Sequence, residues 1–343
     1  MDPLLERARA LHAESLVLDL HADTFLAVHF RGVDIARRHR APIGWMPWML
    51  HCDLPRWKEG GLKAQGLGLV ATKLMTRDPR PHAAQTLALM HRTFEKNAAA
   101  MELAKSPEAL EAARAAGKLA VFVGMEGAHM YGGDVSAVEW FFERGVVYTT
   151  LAHFFANELV SSSNERVPTI DGLTSFGREV IRELNRLGGL VDLAHVHEAS
   201  WFAALDASTA PVFVSHGAAR ALRDHHRNLT DEQLRRIAER RGVVGVIFFL
   251  WFLSWNLFAN VATVVDHIEH IASVAGIDHV ALGSDWDGFV WMPRGLPDVA
   301  ALPRLTAEML RRGFKEADAK KVLGENFLRV WREARSAARS HPR

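Results

Sequence analysis

Residues 189–216, GLVDLAHVHEASWFAALDASTAPVFVSH, decide the fold, because they contain two short apolar runs that each end in a histidine. These runs, Gly189–His195 and Ala210–His216, are continuous rather than alternating, which is typical of strands that are covered on both faces. Six other runs of similar length occur along the chain and complete a set of eight predicted strands. They are Leu16–Asp23, Gly66–Leu74, Leu119–Gly127, Val146–His153, Gly242–Phe249 and His279–Asp285.

Stretches with helical spacing of apolar residues lie between or after these runs. The predicted helices are Ala83–Lys105, Ser106–Ala116, Ser175–Leu187, Thr230–Glu239, Val264–Ala275, Leu302–Arg312, Glu316–Val322 and Glu325–Ala334. Eight buried strands alternating with helices favour a (β/α)₈ barrel of the TIM type, here with a C-terminal helical extension, over two doubly wound domains. No linker rich in Pro, Gly or Ser divides the chain, so we expect residues 1–343 to form one barrel domain.

Composition excludes several classes of protein. The 343 residues carry a net charge of +1 with both signs mixed along the chain, whereas a nucleic-acid-binding protein would need a clustered basic face. Cys52 is the only cysteine, so an intramolecular disulfide is impossible and a Cys-based zinc site is not expected. The N-terminus lacks the pattern of a secretory signal and the C-terminus is polar, from which we expect a cytoplasmic protein.

An uncharged apolar segment at residues 242–265, GVVGVIFFLWFLSWNLFANVATVV, is long enough to cross a bilayer. Its interior is interrupted by Gly245, Ser254 and two asparagines. A membrane span here would also place His216 and Asp285 on opposite sides of the membrane. We therefore predict a buried strand followed by an apolar loop.

The residues that end the predicted strands carry the functional signal. In a (β/α)₈ barrel the C-terminal ends of the strands meet at one mouth, where active sites are found. Six of the eight strands end in an ionisable residue. Buried ionisable groups cost several kcal/mol unless they are paired or metal-bound, so a ring of them predicts a metal site. The residues are His21, Asp23, Glu126, His153, His195, His216 and Asp285.

The spacing of these residues predicts two metal ions. His21 and Asp23 are two apart on a strand and point the same way, so they could chelate one ion. His195 and His216, from adjacent strands, could hold a second, and Glu126 could bridge both. Mixed imidazole and carboxylate ligands suit zinc, and manganese or cobalt could replace it. Two metals about 3.5–4 Å apart bind a hydroxide that attacks a carbonyl or phosphoryl group.

An ordered set of motifs resembles the membrane (renal) dipeptidase family, the zinc dipeptidases of the amidohydrolase-like superfamily. The similarity covers nearly the whole chain, and the ordered set is far more specific than any single motif. The motifs are HAD at 21–23, GMEGAH at 124–129, LAH at 151–153, GLTSFGREVIRELNRLGGLVDLAHV at 172–196, SH at 215–216, RN at 227–228, GSDWDG at 283–288 and GENFLRVW at 324–331.

The resemblance implies a role for each matching residue. His21 and Asp23 would hold one zinc, His195 and His216 the other, with Glu126 between them. His153 would stabilise the oxyanion, and Asp285 would orient the metal-bridging hydroxide and pass its proton to the leaving amine. Arg227 would bind the terminal carboxylate of the substrate, although the residues alone allow an equally good reading of RDHHR, 223–227, as a solvated surface cluster.

The substrate implied is a dipeptide, including dipeptides with a C-terminal D-residue. A related amidohydrolase acting on N-acyl amino acids or lactams is an alternative, and a non-catalytic membrane-associated protein is a second one. The FFANELVSSSN stretch at 154–164 and the aromatic FFLWFLSWNLF stretch at 248–258 depart from the family pattern, which leaves the side-chain preference open. A homodimer also stays open. We expect His51 on a loop surface and a structural role for Asp287.

Overall fold

The strands of this protein lie in one parallel sheet. The structure, a computed structural model, describes residues 2–39, 49–72, 74–256 and 258–340. Within these ranges there are nine strands: β1 Leu18–Ala22, β2 Ala64–Val70, β3 Met101–Leu103, β4 Leu119–Glu126, β5 Val146–Thr150, β6 Leu190–Asp192, β7 Phe213–Gly217, β8 Val243–Val246 and β9 Val280–Leu282.

Eight of these strands form a barrel in the order β1-β2-β4-β5-β6-β7-β8-β9. The ring closes just beyond β9, where the Asp285 amide donates to the His21 carbonyl at 3.0 Å and the Asp23 amide donates to the Trp286 carbonyl at 2.7 Å. Each strand was predicted from its apolar run, and the (β/α)₈ barrel is confirmed. Because all the strands are parallel, their C-terminal ends face the same mouth.

Helices cover the outside of the sheet. In the described residues they are α1 Pro3–Glu14, α2 Thr24–Arg31, α3 Leu54–Glu59, α4 Pro79–Lys96, α5 Pro107–Ala115, α6 Ser136–Glu143, α7 Ser175–Leu187, α8 Glu198–Ala207, α9 Asp231–Glu239, α10 Leu250–Leu253, α11 Val261–Ala275, α12 Pro303–Arg311, α13 Glu316–Lys320 and α14 Asn326–Ser340. Side-chain caps fix several starts: the Ser106 side chain accepts from the Ala109 amide, and Thr230 forms a capping box with Gln233.

Strand β3 is the one described strand that the sequence did not predict, since we expected one helix over Ala83–Lys105. The helices α1, α2, α3, α6, α8 and α10 were not predicted either. The helix α4 ends at Lys96, and β3 pairs with the first residues of β4, Met101 opposite Leu119. The alanines at 98–100 favour helix by intrinsic propensity, and a three-residue strand is too short to show a period. Pairing with β4 decides the conformation instead.

Aromatic side chains close the end of the barrel where the strands begin. Phe327 and Trp331 of α14 pack on Phe122 of β4, with ring centroids 5.4 and 5.5 Å away, and Phe327 also contacts Phe213 of β7 at 5.5 Å. All four rings are fully buried. The described interior is therefore a mostly apolar core at this end.

The apolar segment after Gly242 begins as the buried strand β8, continues through the short helix α10 and reaches α11. The predicted buried strand is confirmed, and part of the predicted loop is α10. No helix in the described ranges is both long enough and apolar enough to cross a membrane.

Candidate metal centre and active site

The barrel brings all the predicted strand-end residues to its C-terminal mouth. His21 lies in β1, Glu126 is the last residue of β4, and His216 lies in β7. His153, His195 and Asp285 each follow the last residue of β5, β6 and β9 by three positions. Their side chains are mostly buried, so the mouth collects ionisable groups where water has little access.

Glu126 lies at the centre of this group. Its Oε1 atom is 3.1 Å from His195 Nε2, 3.5 Å from His21 Nε2 and 3.6 Å from His216 Nε2. Its Oε2 atom is 3.4 Å from His153 Nε2. One carboxylate therefore faces four imidazoles, which is the position expected of a group shared between two metals.

The remaining donors surround the same space. His21 Nε2 is 3.5 Å from Asp23 Oδ1 and 3.8 Å from Asp285 Oδ1, and His195 Nε2 is 2.8 Å from His216 Nε2. Three overlapping groups have ligand atoms within 4.8 Å of one another and could hold an ion: His21, His216 and Asp285; Glu126, His153 and His195; His21, Asp23 and Glu126. By distance alone, Asp285 and His153 are as near to a metal position as the four residues that the sequence pairs as ligands.

Several buried polar atoms of the cluster have no hydrogen-bond partner in the described part of the chain. They include His21 Nε2, Asp23 Oδ1 and Glu126 Oε2. A buried polar atom without a partner costs about 1–3 kcal/mol, and these atoms face one another. A divalent cation would satisfy all of them together, and imidazole with carboxylate is a donor set that suits zinc. The residues present fit a metal.

Burial and neighbouring groups shift the pKa values of the cluster. Although burial opposes it, interactions with Tyr148, Glu126 and Asp23 raise the pKa of His21 well above its ordinary value. Burial raises the pKa of Glu126 well above its ordinary value, and nearby Asp23 adds to the shift. Burial likewise raises the pKa of Asp285 to about 8. Burial lowers the pKa of His195 and of His216 well below the usual histidine range. Both imidazoles are thus neutral near pH 7, the form in which histidine binds a metal.

A tyrosine orients His21. The Tyr148 hydroxyl is 2.9 Å from His21 Nδ1 and donates to the Leu20 carbonyl at 3.1 Å. Because a hydroxyl has a single hydrogen, it accepts from Nδ1–H of His21. The lone pair of His21 then lies on Nε2, which faces the cluster. A metal-binding histidine commonly has such a partner on its other nitrogen.

A buried carboxylate orients His216 in the same way. The Ser215 hydroxyl donates to Asp192 Oδ2 at 2.6 Å, so it accepts from Nδ1–H of His216 at 2.9 Å. Thr150 also donates to Asp192 Oδ2 at 2.6 Å. The sequence did not single out Tyr148 or Asp192. The available signal for Asp192 was a carboxylate inside an otherwise apolar run, GLVDLAH, which a buried strand tolerates only when it is hydrogen-bonded.

Hydrogen bonds to a residue of β1 hold the loop that carries Asp285. Asp19 of β1 accepts from the Ser284 amide at 2.7 Å and from the Ser284 hydroxyl at 2.6 Å. Asp285 has a φ of 63° and His195 also has a φ of 63°, a left-handed conformation that is uncommon for residues with a side chain. Such backbone strain persists only where surrounding contacts hold it, often at functional sites.

Asp287 links three segments at the mouth, which agrees with the structural role that we expected. Its carboxylate accepts from the His51 amide at 2.6 Å and from the Thr24 hydroxyl at 2.8 Å. The expectation that His51 lies on a loop surface is wrong, because His51 is buried against Asp287. The sequence pattern around His51 gave no sign of this long-range contact.

Arg227 enters a cavity of about 650 Å³ above the cluster. Asp23, Glu126, His153 and Asp285 also line this cavity. Arg227 is buried, so the alternative of a solvated surface position is wrong. Burial lowers its pKa to about 10, yet it stays cationic at pH 7. In the described ranges its guanidinium forms no ion pair, and it can therefore receive an anionic group of a ligand.

The comparisons with known proteins agree with the sequence motifs. A family model described as membrane dipeptidase, peptidase family M19, matches residues 5–343. The Dipeptidase tcpJ of Claviceps purpurea (strain 20.1) is 39% identical over 257 residues, which are 75% of this chain and 60% of the relative. This chain thus spans about three fifths of the length of that curated relative.

Two solved structures have the same fold. The dipeptidase AC, a metallopeptidase of family M19, is 27% identical with a TM-score of 0.84, covering 93% of this chain and 98% of that one. A metallopeptidase from Rhodobacter sphaeroides is 26% identical with a TM-score of 0.83, covering 94% of this chain and 100% of that one. That protein is liganded with a phosphinate mimic of the dipeptide L-Ala-D-Ala.

Proposed function

The chain belongs to the membrane dipeptidases of peptidase family M19, a family of metal-dependent hydrolases, and on that premise we propose that it hydrolyses the amide bond of dipeptides. The observation that carries the proposal is one cavity with two kinds of group. We call the strand-end cluster the floor, and it comprises His21, Asp23, Glu126, His153, His195, His216 and Asp285. Carboxylates and imidazoles of the floor line the cavity together with the buried cation Arg227. A small substrate with an amide and a free carboxylate would engage both.

We propose that two zinc ions occupy the floor, with His21 and Asp23 at one, His195 and His216 at the other, and Glu126 shared. The support is the set of buried donor atoms without partners and the central place of the Glu126 carboxylate. Bound metals would lower the pKa of water and polarise the scissile carbonyl. Manganese or cobalt could replace zinc at such a donor set.

The other residues supply proton transfer and charge stabilisation. Asp285 Oδ1 lies 3.8 Å from His21 Nε2, and as a carboxylate it could take a proton from the attacking water and then give it to the leaving amine. His153, whose imidazole burial keeps neutral, would donate a hydrogen bond to the carbonyl oxygen as negative charge develops there. Arg227 would bind the substrate carboxylate through charge-assisted hydrogen bonds.

We also propose that dipeptides with a C-terminal D-residue are substrates. The support is the similarity to the Rhodobacter sphaeroides metallopeptidase, whose bound mimic has an L-D configuration. Arg227 and residues of the cluster line one wide cavity, so a substrate whose carboxylate binds Arg227 could also place its amide bond at the cluster.

The experiment is a panel of L-L, L-D and N-acetylated dipeptides assayed with the zinc-loaded protein. Free dipeptides of both configurations should be hydrolysed, and N-acetylated ones should react more slowly. Faster turnover of the N-acetylated compounds would replace this proposal with an amidohydrolase that acts on N-acyl amino acids.

A further inference from the structure

The aromatic segment at 248–258 contains a short helix whose two faces differ. Leu250 and Leu253 of α10 are buried, while Phe249, which precedes the helix, and Phe252 line the cavity. Residues three apart on a helix lie on the same face. The buried leucines therefore pack this helical turn against the protein interior, while the two phenylalanine rings face the cavity. Leu257 lies outside the described residues.

These rings form a continuous surface next to Arg227. The Phe249 and Phe252 ring centroids are 4.8 Å apart, and the His225 ring lies 4.4 Å from Phe252 on the other side. All three residues line the cavity, and we call them the aromatic wall. The guanidinium carbon of Arg227 is 5.5 Å from the Phe252 ring centroid. A ligand whose carboxylate binds Arg227 would have its nearest side chain beside this wall.

The wall is held in place by hydrogen bonds to the backbone of α10 and the residue after it. The Asn228 side chain donates to the Phe252 carbonyl at 2.7 Å, and Arg223 donates to the Ser254 carbonyl at 3.2 Å. His267, a buried residue of α11, contacts the Leu253 carbonyl through Nε2 at 3.0 Å. Because the aromatic wall is already ordered in the free protein, little conformational entropy is lost when a ligand binds, which favours affinity.

Within the described part of the chain, the aromatic wall contains no carboxylate that could pair with a cationic substrate side chain. Among the described residues that line the cavity, the carboxylates are Asp23, Glu126 and Asp285, which all belong to the floor. A lysine or arginine side chain against the phenylalanines would lose water without gaining an ion pair. The cation–π contact that the rings could offer is opposed by repulsion from the nearby guanidinium of Arg227. A large apolar side chain would bury its surface against the rings.

We propose that the aromatic wall makes this enzyme selective for dipeptides whose C-terminal residue has a large apolar side chain. The inference rests on the proposed function, which places the substrate carboxylate at Arg227. It assigns a role to the aromatic segment, for which the sequence motifs offer none. The substrate class is thus a dipeptide such as Ala-Phe or Ala-Leu in preference to Ala-Ala or Ala-Lys.

The first test compares kcat/KM of the zinc-loaded enzyme for Ala-Phe, Ala-Leu, Ala-Ala and Ala-Lys. The expected value for Ala-Phe exceeds that for Ala-Ala about tenfold or more, the scale on which apolar pockets discriminate. Ala-Lys should be the poorest of the four. Equal or higher kcat/KM for Ala-Ala or Ala-Lys would overturn the inference.

The second test removes the wall. In Phe252→Ala the ratio of kcat/KM for Ala-Phe to that for Ala-Ala should fall at least about fivefold, since the ring offers contact only to the larger side chain. Phe249→Ala should change the ratio in the same direction, which keeps the test available if one variant does not fold. A ratio that stays at the wild-type value in both variants would show a merely structural role and overturn the inference.

Phe258→Ala is the matched control, because Phe258 follows in the same segment, is 80% exposed and does not line the cavity. Its substrate ratio should equal that of the wild type. The failures are distinguishable: if no dipeptide is hydrolysed, the proposed function fails and the inference with it. If all four are hydrolysed at similar kcat/KM, only the inference fails.

Discussion

The floor and the wall of the cavity are built in different ways. The residues of the floor lie on barrel strands or within three residues of a strand end. Buried partners such as Tyr148 and Asp192 orient its polar atoms. The wall consists of Phe249 and Phe252 at α10 with His225 from another loop. Strands place groups more rigidly than loops do, which agrees with our proposal that the floor carries the chemistry and the wall the selectivity.

Variants of the floor and variants of the wall should have different effects on catalysis. A change in the floor should reduce the turnover of all dipeptides by a similar factor, because every substrate needs the same bond broken. A change in the wall should alter the ratio between substrates. A floor variant that changed only the ratio of kcat/KM between substrates would contradict this division of roles.

The largest effect is expected from Glu126→Gln. The amide lacks the charge that a shared ligand needs, and metal assistance contributes several kcal/mol to transition-state stabilisation, so kcat/KM should fall by roughly 10⁴-fold or more. Steady-state kinetics on several dipeptides, with elemental analysis of the same sample, would measure both consequences. Turnover near the wild-type rate would remove Glu126 from the centre.

Asp285→Asn should follow in size. Loss of a general acid–base group lowers the rate by about 10²–10⁴-fold, and we expect most of the decrease in kcat. The metal content should stay at the wild-type level, which matters because Asp285 lies as near to His21 and His216 as a ligand would. Loss of metal in this variant would make Asp285 a ligand instead of the proton carrier.

Arg227→Ala should act chiefly on KM. A hydrogen bond to a charged group contributes about 1.5–3 kcal/mol, which corresponds to a rise in KM of roughly 10–100-fold for dipeptides with a free carboxylate. C-terminally amidated dipeptides are the control, since they lack the charge that Arg227 would bind. An equal loss on both series would contradict the carboxylate role.

The smallest effect in the floor is expected from Tyr148→Phe. This change removes the hydroxyl that meets His21 Nδ1 at 2.9 Å and keeps the ring. Loss of such a partner lowers metal affinity by about 10–100-fold. Competition with a chelator would measure the affinity, and the activity should return when excess zinc is added. An unchanged affinity would show that the hydroxyl does not orient His21.

The floor could be predicted from the sequence because barrel strands leave a regular signal. An apolar run that ends in His, Asp or Glu identifies both the strand and the residue at the mouth, as at His195 and His216. In the structure the Nε2 atoms of these two imidazoles are 2.8 Å apart. Arg227 needed the family resemblance, since RDHHR alone is compatible with a surface cluster.

Contacts between distant segments could not be predicted in this way. His51 meets Asp287 across 236 positions of the chain, and Tyr148 meets His21 across 127. Neither contact produces a periodic pattern in the sequence that could have predicted it. The short strand β3 and the helix α10 were also missed, because three or four residues are too few for a pattern and tertiary pairing decides their conformation.

The metal content of the purified protein, measured after zinc loading and removal of free metal, shows directly whether the strand ends form a metal centre. Strand ends that form a two-metal floor around Glu126 predict about two zinc ions per chain. A count near zero would contradict the account, because the cluster of buried donors would then have another purpose and the proposed hydrolysis would lose its catalyst.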